Sequence, residues 1–264
     1  METTYNKINI YLRMFSRNRA NPDRPQWFDY EKVFRNLLTT MDSRVCNLVV
    51  CFEKQEDYAT HFIQKYLSKK PFDVQFIKTP LKRKIFSDEP WSHSLAAASE
   101  IVEKDISCGR IADDHLIYIL EDDYLHLPFW TPIVLDFFNS TLQKFDDDND
   151  VVCLYDHNDK YLFTVPNEKS HWGMYSELKS KIVASNFRHW RQVPNCGLSM
   201  IMSKKTWERD KKMWLDGYSD CEIGNQIVPR YGTRIWTPIP SISTHCVNPF
   251  VAPCIDWAKL IEMT

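Results

Sequence analysis

Glycine is scarce in this chain, with six residues in 264. Neither G-x-G-x-x-G nor G-x-x-x-x-G-K occurs, so the sequence offers no glycine-rich loop to wrap backbone N–H groups around a phosphate. Arg, Lys or a metal would have to do that work. The eight cysteines include no C-x-x-C pair, which excludes a zinc ribbon. They are scattered at Cys46, Cys51, Cys108, Cys153, Cys196, Cys221, Cys246 and Cys254, a pattern unlike a disulfide framework. Cys51 and Cys153 sit inside apolar runs, where a reduced thiol behaves as a small core side chain.

No apolar run approaches the roughly 20 residues a membrane span requires. The opening Met1-Glu2-Thr3-Thr4-Tyr5 lacks a basic-then-apolar signal pattern, so a cytoplasmic location is expected. A formal net charge of −2 gives no global pull toward nucleic acid or anionic membrane. The acidic run Asp146-Asp147-Asp148-Asn149-Asp150 fails as a calcium loop, because the glycine position falls on Val151 and the closing glutamate position on His157. It reads as a solvated turn from helix to strand.

What is present is a well-filled core: 44% hydrophobic residues, 14% aromatic and nine Trp. The length suits a single α/β domain over residues 1–264. Strand and helix signals alternate through the first 160 or so residues, the βαβ pattern of a parallel sheet. Strands are expected at Ile8 to Phe15, Val45 to Phe52 and Val74 to Ile77. Asp29 caps a helix whose Tyr30, Val33, Phe34, Leu37, Leu38 and Met41 share one face. Further helices are expected around Tyr58 to Leu67, from Ser92 to Ile106 and after Pro128. Val151 to Tyr155 reads as a strand, and Tyr161 to Pro194 as long loops with one short helix. A strand at Leu198 to Met202, helices at Lys204 to Trp214 and Asp220 to Val228, and a proline-interrupted strand from Ile235 to His245 complete the chain.

The most informative segment is His115-Leu116-Ile117-Tyr118-Ile119-Leu120, which runs directly into Glu121-Asp122-Asp123. A continuous apolar run is the mark of a central parallel strand, and ligands of open α/β sheets bind beyond the carboxyl ends of such strands. Three adjacent anions there call for a cation. Alternation along an extended strand places Glu121 and Asp123 on one side and Asp122 on the other.

Three other places carry polar residues that a sheet does not need: Asn195-Cys196-Gly197, Asp220-Cys221-Glu222 and Thr244-His245. In this order the set resembles the GT-A fold of nucleotide-sugar glycosyltransferases. An acidic D-x-D-type motif is followed by a glycine-bearing loop, an acidic motif opening a helix and a late histidine. Arg24-Pro25-Gln26-Trp27-Phe28, Glu121-Asp122-Asp123-Tyr124-Leu125-His126, Leu154-Tyr155-Asp156-His157-Asn158-Asp159-Lys160-Tyr161 and Ser243-Thr244-His245-Cys246 resemble a group of small GT-A-type transferases of phages, giant viruses and some bacteria.

The resemblance implies an α/β, GT-A-like (Rossmann-like) fold: a mostly parallel central sheet flanked by helices, with an irregular C-terminal acceptor side. Residues 1–125 would form the nucleotide-sugar-binding half and 126–264 the acceptor-binding and catalytic half. The implied reaction moves a sugar from a nucleoside-diphosphate sugar, UDP favoured, to an acceptor hydroxyl, and the implied cofactor is Mn²⁺ or Mg²⁺. Asp123 is expected on the metal directly, with His245 as the second protein ligand. By resemblance Glu121 and Asp122 contact the ribose or donor sugar, directly or through the metal's waters. Asp220 is the first choice for general base and Glu222 the second, for a single inverting displacement; Ser219 or Asp220 could equally be a plain helix cap. Arg13 and Arg17 after strand one, Glu53 ending strand two, and Arg191 with Arg188 and His189 are the donor-side candidates.

Lys82-Arg83-Lys84 and Lys204, Lys205, Arg209, Lys211 and Lys212 form two basic patches. Together they could track nucleic-acid phosphates, although the second reads most simply as a solvated helix face. The implied acceptors are therefore a glycan or a hydroxymethylated pyrimidine flipped out of phage DNA, with the host cytoplasm as the location if the chain is viral. Trp27, Trp91, Trp172, Trp190 and Trp257 are candidates for stacking on a sugar or base, with core packing as the default. The alternatives from other classes are a metal-dependent nucleotidyltransferase, which usually brings the glycine-rich loop missing here, and a catalytically silent nucleotide-sugar-binding module.

Overall fold

The computed structural model describes residues 3–14, 23–53, 58, 61–67, 72–87, 89–145, 148–157, 179–197, 199–248 and 250–264, with the backbone alone at 220 and 221. The first half builds β1 (Lys7–Met14), α1 (Tyr30–Thr40), β2 (Cys46–Phe52), β3 (Asp73–Phe76), α2 (Pro90–Ser107) and β4 (His115–Glu121). β1 and β4 are buried almost end to end, which is why both read as unbroken apolar runs. Asp29 caps α1 by accepting from the Lys32 N–H at 2.8 Å, and Val33, Phe34, Leu37 and Leu38 are buried as their spacing predicts. In the stretch expected as a helix from Tyr58 to Leu67, residues 59 and 60 lie outside the described ones, Tyr58 is helical and Phe62–Tyr66 forms a 3₁₀ turn. His61 starts it, its ring nitrogen accepting from the Ile63 N–H.

After β4 the chain forms β5 (Tyr124–His126) and α3 (Trp130–Asp136), which continues through a π turn, Phe137–Thr141, and a 3₁₀ turn, Leu142–Lys144. Then come β6 (Asp150–Cys153), β7 (Ile182–Ala184), β8 (His189–Val193), β9 (Met200–Ser203), α4 (Lys204–Leu215), α5 (Asp220–Tyr231), β10 (Arg234–Ile239), β11 (Ser243–His245) and α6 (Trp257–Glu262).

Nine strands form one sheet in the order β3-β2-β1-β4-β9-β6-β10-β8-β7. The pairings make it mostly parallel: β8 and β9 alone run against the other seven. The carboxyl ends of β1, β2, β4, β6 and β10 therefore gather along one edge. Helices flank the sheet, with α2 and α4 packing on each other and against β1, β4 and β9. Trp130, Trp190, Trp207, Trp214, Trp236 and Trp257 are all fully or almost fully buried, and they give the core its bulk.

Two expectations change. The strand expected from Ile235 to His245 ends at Ile239, and β11 joins a separate two-stranded sheet with β5. Pro240 follows directly and has no N–H to offer the ladder. In the stretch expected to be loops with a short helix, β7 and β8 form an antiparallel hairpin, while residues 158–178 lie outside the described ones.

Candidate functional site

The site begins where β4 ends. Glu121 is its last residue, Asp122 and Asp123 form a tight turn, and β5 departs at Tyr124. β5 pairs antiparallel with β11, setting Tyr124 opposite His245, and the Cys246 N–H extends the ladder by donating to the Asp123 carbonyl at 2.9 Å. The turn therefore carries Asp123 to the end of a two-stranded ribbon whose other strand ends in His245. His245 Nε2 lies 3.1 Å from Asp123 Oδ2, and the His245 ring stacks on Tyr124 with centroids 4.9 Å apart. Glu121 joins them: one ligand atom each from Glu121, Asp123 and His245 lies within 4.8 Å of the others. Extended-strand alternation does not apply across this turn, yet Glu121 and Asp123 still converge. Asp122 stands outside the cluster, beside Leu12, Met14 and Val33 on a small apolar recess.

Two arginines neutralise the acids. Arg13, 0% exposed, donates from Nη2 to Glu121 Oε1 at 2.7 Å and from Nη1 to the Trp91 carbonyl at 3.1 Å. Its Cα faces that of Glu121 in the β1–β4 register, so this pair is set by the sheet. Arg24 Nη1 reaches Asp123 Oδ2 at 2.7 Å and the Cys246 carbonyl at 2.8 Å, and Nη2 reaches the Tyr30 hydroxyl at 3.2 Å. The Arg24 guanidinium also lies over the Phe28 ring, 4.5 Å from its centroid.

Burial alone would raise the Asp123 carboxyl, but the charges and hydrogen bonds of His245 and Arg24 hold it well below the usual carboxylate range. For His245 burial works against protonation, and Asp123, with Glu121 further off, outweighs it and raises the imidazole. Asp123 Oδ2 thus meets both the Arg24 guanidinium and the His245 imidazole. Its Oδ1 is buried and has no hydrogen-bond partner among the described residues, an arrangement that costs about 1–3 kcal/mol for a neutral group and more for a charged one. Two carboxylates and an imidazole, one oxygen unsatisfied, fit a divalent cation that accepts mixed oxygen and nitrogen ligands.

The other expected residues are dispersed along the same edge. Glu53 follows β2 and accepts a hydrogen bond from the Thr79 hydroxyl. Arg191 on β8 is 6% exposed, and its Nη2 lies 2.7 Å from the buried Asp156. The Thr237 hydroxyl donates to the same carboxylate oxygen at 2.9 Å. Arg188 is half-buried and His189 exposed. Arg17 lies outside the described residues.

Asp220 is the first residue of α5. The Glu222 carboxylate accepts from the Ser219 N–H and hydroxyl, both at 2.8 Å, while Ser219 Oγ accepts from the Glu222 N–H: a complete capping box. The Asn195-Cys196-Gly197 loop lies against this helix. A Cβ on Gly224 would stand 2.9 Å from Asn195 Cβ, and Asn195 Nδ2 donates to Asn225 Oδ1 at 3.0 Å. The four polar segments are thus joined in two pairs, one through the β5–β11 ribbon and one through α5.

Trp190 and Trp257 are core residues, 0% and 2% exposed, so neither offers a face for stacking. Trp91 is 39% exposed, Trp27 is half-buried and Trp172 is outside the described residues. The basic face of α4 is largely matched by acids: Lys204 with Asp113, Lys205 with Asp148, Arg209 with Asp210, Lys211 with Glu103 and Lys212 with Asp216. Arg83 pairs with Glu100. The residue that sequence reasoning missed is Arg24, quoted there within a segment and given no role. The signal available was chemical: a buried acidic cluster requires compensating cations.

No protein-family model matches the sequence, and no curated protein does. Among solved structures, S. aureus TarS (residues 1–349) is similar at 11% identity and a TM-score of 0.48, over 88% of this chain and 57% of that one. This chain therefore spans little more than half of that one. The 4-diphosphocytidyl-2C-methyl-D-erythritol synthase of Anaerococcus prevotii is similar at 10% identity and a TM-score of 0.44, over 98% of this chain and 96% of that one. An active-site mutant of LgtC is similar at 14% identity and a TM-score of 0.42, over 86% of this chain and 72% of that one. At these values the likenesses carry no inference about chemistry. Among the described residues, no helix is long and apolar enough to cross a membrane.

Proposed function

We propose that the chain is a metal-dependent glycosyltransferase that moves a sugar from a nucleoside-diphosphate sugar, UDP-linked by preference, to an acceptor hydroxyl. The observation that carries the reading is the Glu121–Asp123–His245 cluster at the carboxyl edge of a mostly parallel sheet, with Asp123 Oδ1 unpartnered among the described residues. Asp123 and His245 are the ion's protein ligands, with Glu121 beside them for the ion's waters or the donor. A bound Mn²⁺ or Mg²⁺ supplies positive charge against the diphosphate that departs. Residues 1–125 bind the donor, Asp122 and Glu53 contributing from the ends of β4 and β2, and residues 126–264 bind the acceptor.

Asp220 takes the proton from the acceptor hydroxyl as that oxygen attacks the anomeric carbon and the nucleoside diphosphate leaves from the opposite face, inverting the configuration. Asp220 is preferred to Glu222 because the Glu222 carboxylate is engaged in the capping box. The acid-matched basic face of α4 favours a glycan over a DNA base as acceptor.

The test is incubation with a panel of UDP- and GDP-sugars and Mn²⁺. Release of a nucleoside diphosphate supports the transferase. Pyrophosphate release would instead identify a nucleotidyltransferase, and absence of turnover a binding module. Asp220→Asn should spare donor binding and remove transfer, whereas Glu222→Gln should keep most of it. Wild-type transfer by the first variant would sink the assignment of the base.

A further inference from the structure

We propose that Arg24 is a diphosphate-binding residue of this site, stored on Asp123 as an internal counter-ion and released to the donor's phosphates when a divalent cation takes its place there. The proposal rests on the functional reading above and adds to it the residue that replaces a phosphate loop.

Arg24 is partly buried and differs from the buried arginines of the sheet edge in what it is paired with. Arg13 is paired with Glu121 through the strand register, and Arg191 is paired with Asp156. Arg24 instead shares the single oxygen Asp123 Oδ2 with His245, at 2.7 and 3.1 Å, while Oδ1 of the same carboxylate has no hydrogen-bond partner among the described residues. The acid that holds Arg24 is the acid with unused capacity for a cation. Occupation of Asp123 by a divalent ion opposes the Arg24 contact by charge repulsion and by competition for the same oxygen.

Release from Asp123 also gives up the Arg24 contacts to the Cys246 carbonyl and the Tyr30 hydroxyl, which the phosphate must replace, while the backbone beside it stays anchored. Asp23 is tied down by Asn248, whose N–H donates to the Asp23 carbonyl at 2.8 Å and whose side-chain amide reaches Asp23 Oδ1 at 3.3 Å. The guanidinium rests on the Phe28 ring, a surface over which a planar cation can reorient while keeping its stacking contact. Among the described residues its buried Nε finds no acceptor, so one hydrogen of the fork is unused there. A phosphate could take up the fork in two parallel hydrogen bonds, the geometry for which guanidinium is suited. Arg24 also follows β1, at the carboxyl edge where ligands of such sheets bind.

The experiment uses Arg24→Gln and Arg24→Lys in the full chain, with folding checked by thermal unfolding. Mn²⁺ alone is titrated first, then UDP and UMP are each titrated at saturating Mn²⁺. Arg24→Gln should bind Mn²⁺ more tightly than wild type, because a competing cation is gone. It should bind UDP about tenfold more weakly and UMP within about twofold of wild type, the pattern of one lost charge-assisted contact to the terminal phosphate. Arg24→Lys should fall between the two on UDP. It also carries the comparison if the glutamine variant does not fold.

A structural role alone would weaken UDP and UMP together. That result, or an unchanged UDP affinity in a folded Arg24→Gln, overturns the proposal while leaving the functional reading in place. Failure of the wild type to bind UDP, GDP or pyrophosphate with Mn²⁺ overturns both.

Discussion

His245 and Asp123 lie 122 positions apart and meet at 3.1 Å, His245 Nε2 to Asp123 Oδ2. Neither side chain is placed by its own neighbourhood in the sequence. The contact exists because a turn at the end of β4 starts a three-residue strand, and another three-residue strand after Pro240 pairs with it. A metal site built this way is held by main-chain hydrogen bonds of the ribbon, and Asp123→Asn should leave that framework intact. An ion at about 100 times its dissociation constant stabilises a protein by about 2.7 kcal/mol. Wild type should show a Mn²⁺-induced rise in its thermal midpoint, and Asp123→Asn should show none. An equal rise in both would remove the ion from Asp123.

The Arg13–Glu121 pair lies deeper and allows a stability prediction. Arg13 is fully buried and its partner is 13% exposed at the side chain. Removing one member of such a pair strands the other charge, at a typical cost of about 3–5 kcal/mol, whereas removing both costs less. Arg13→Met should therefore lower the urea stability by about 3 kcal/mol. Adding Glu121→Gln to it should recover part of that loss. A double variant as unstable as the sum of the two singles would show that the pair is not coupled.

His126, at the end of β5 away from Asp123, gives the protein a further acid sensitivity. It is completely buried, with Nε2 2.8 Å from the Tyr118 hydroxyl, and burial pushes its imidazole down to about 3. An unfolded chain takes up this proton near pH 6.5, while the folded state resists it until about pH 3. The neutral ring's contribution is thus complete above about pH 6.5 and declines as pH falls toward 3, by up to about 1.4 kcal/mol per pH unit. Denaturant unfolding from pH 7.5 to 4.5 should show His126→Gln losing less stability with acid than wild type. Parallel pH profiles would contradict the assignment.

Much of the sheet was legible because its central strands are buried on both faces and leave an unbroken apolar signature, as in β4. α1 was legible for a different reason: Asp29 and the 3.6-residue apolar spacing both act within a few residues. The ribbon of β5 and β11 left no such trace. Three residues are too few to show a period, and their pairing is decided by where β4 and β10 end. Arg13 illustrates the other limit. On β1 it looked available for phosphates, and only the β1–β4 register reveals that Glu121 stands beside it. Arg24 reaches an acid 99 positions away, beyond any local pattern. In Ser219-Asp220-Cys221-Glu222 a plain cap was visible at Ser219 or Asp220, and Ser219 is the cap; that Glu222 closes a capping box with it was not foreseen.

Gly224 provides a last test, on the pairing of α5 with the Asn195 loop. Inside a helix, Gly→Ala normally gains up to about 1 kcal/mol. Here the added Cβ would stand 2.9 Å from Asn195 Cβ and 3.2 Å from Asn195 Cα, and a backbone atom cannot rotate away. Gly224→Ala should therefore destabilise the protein by about 1–3 kcal/mol, the usual cost of overpacking, in spite of its better helix propensity. Asn195→Gly removes the nearer obstacle and should restore part of the loss in the double variant. Because the same movement shifts the first turns of α5, transfer by Gly224→Ala should fall further than its folded fraction if Asp220 acts from that turn. Gly224→Ala at or above wild-type stability would mean that α5 and the Asn195 loop are not in the close contact from which both predictions follow.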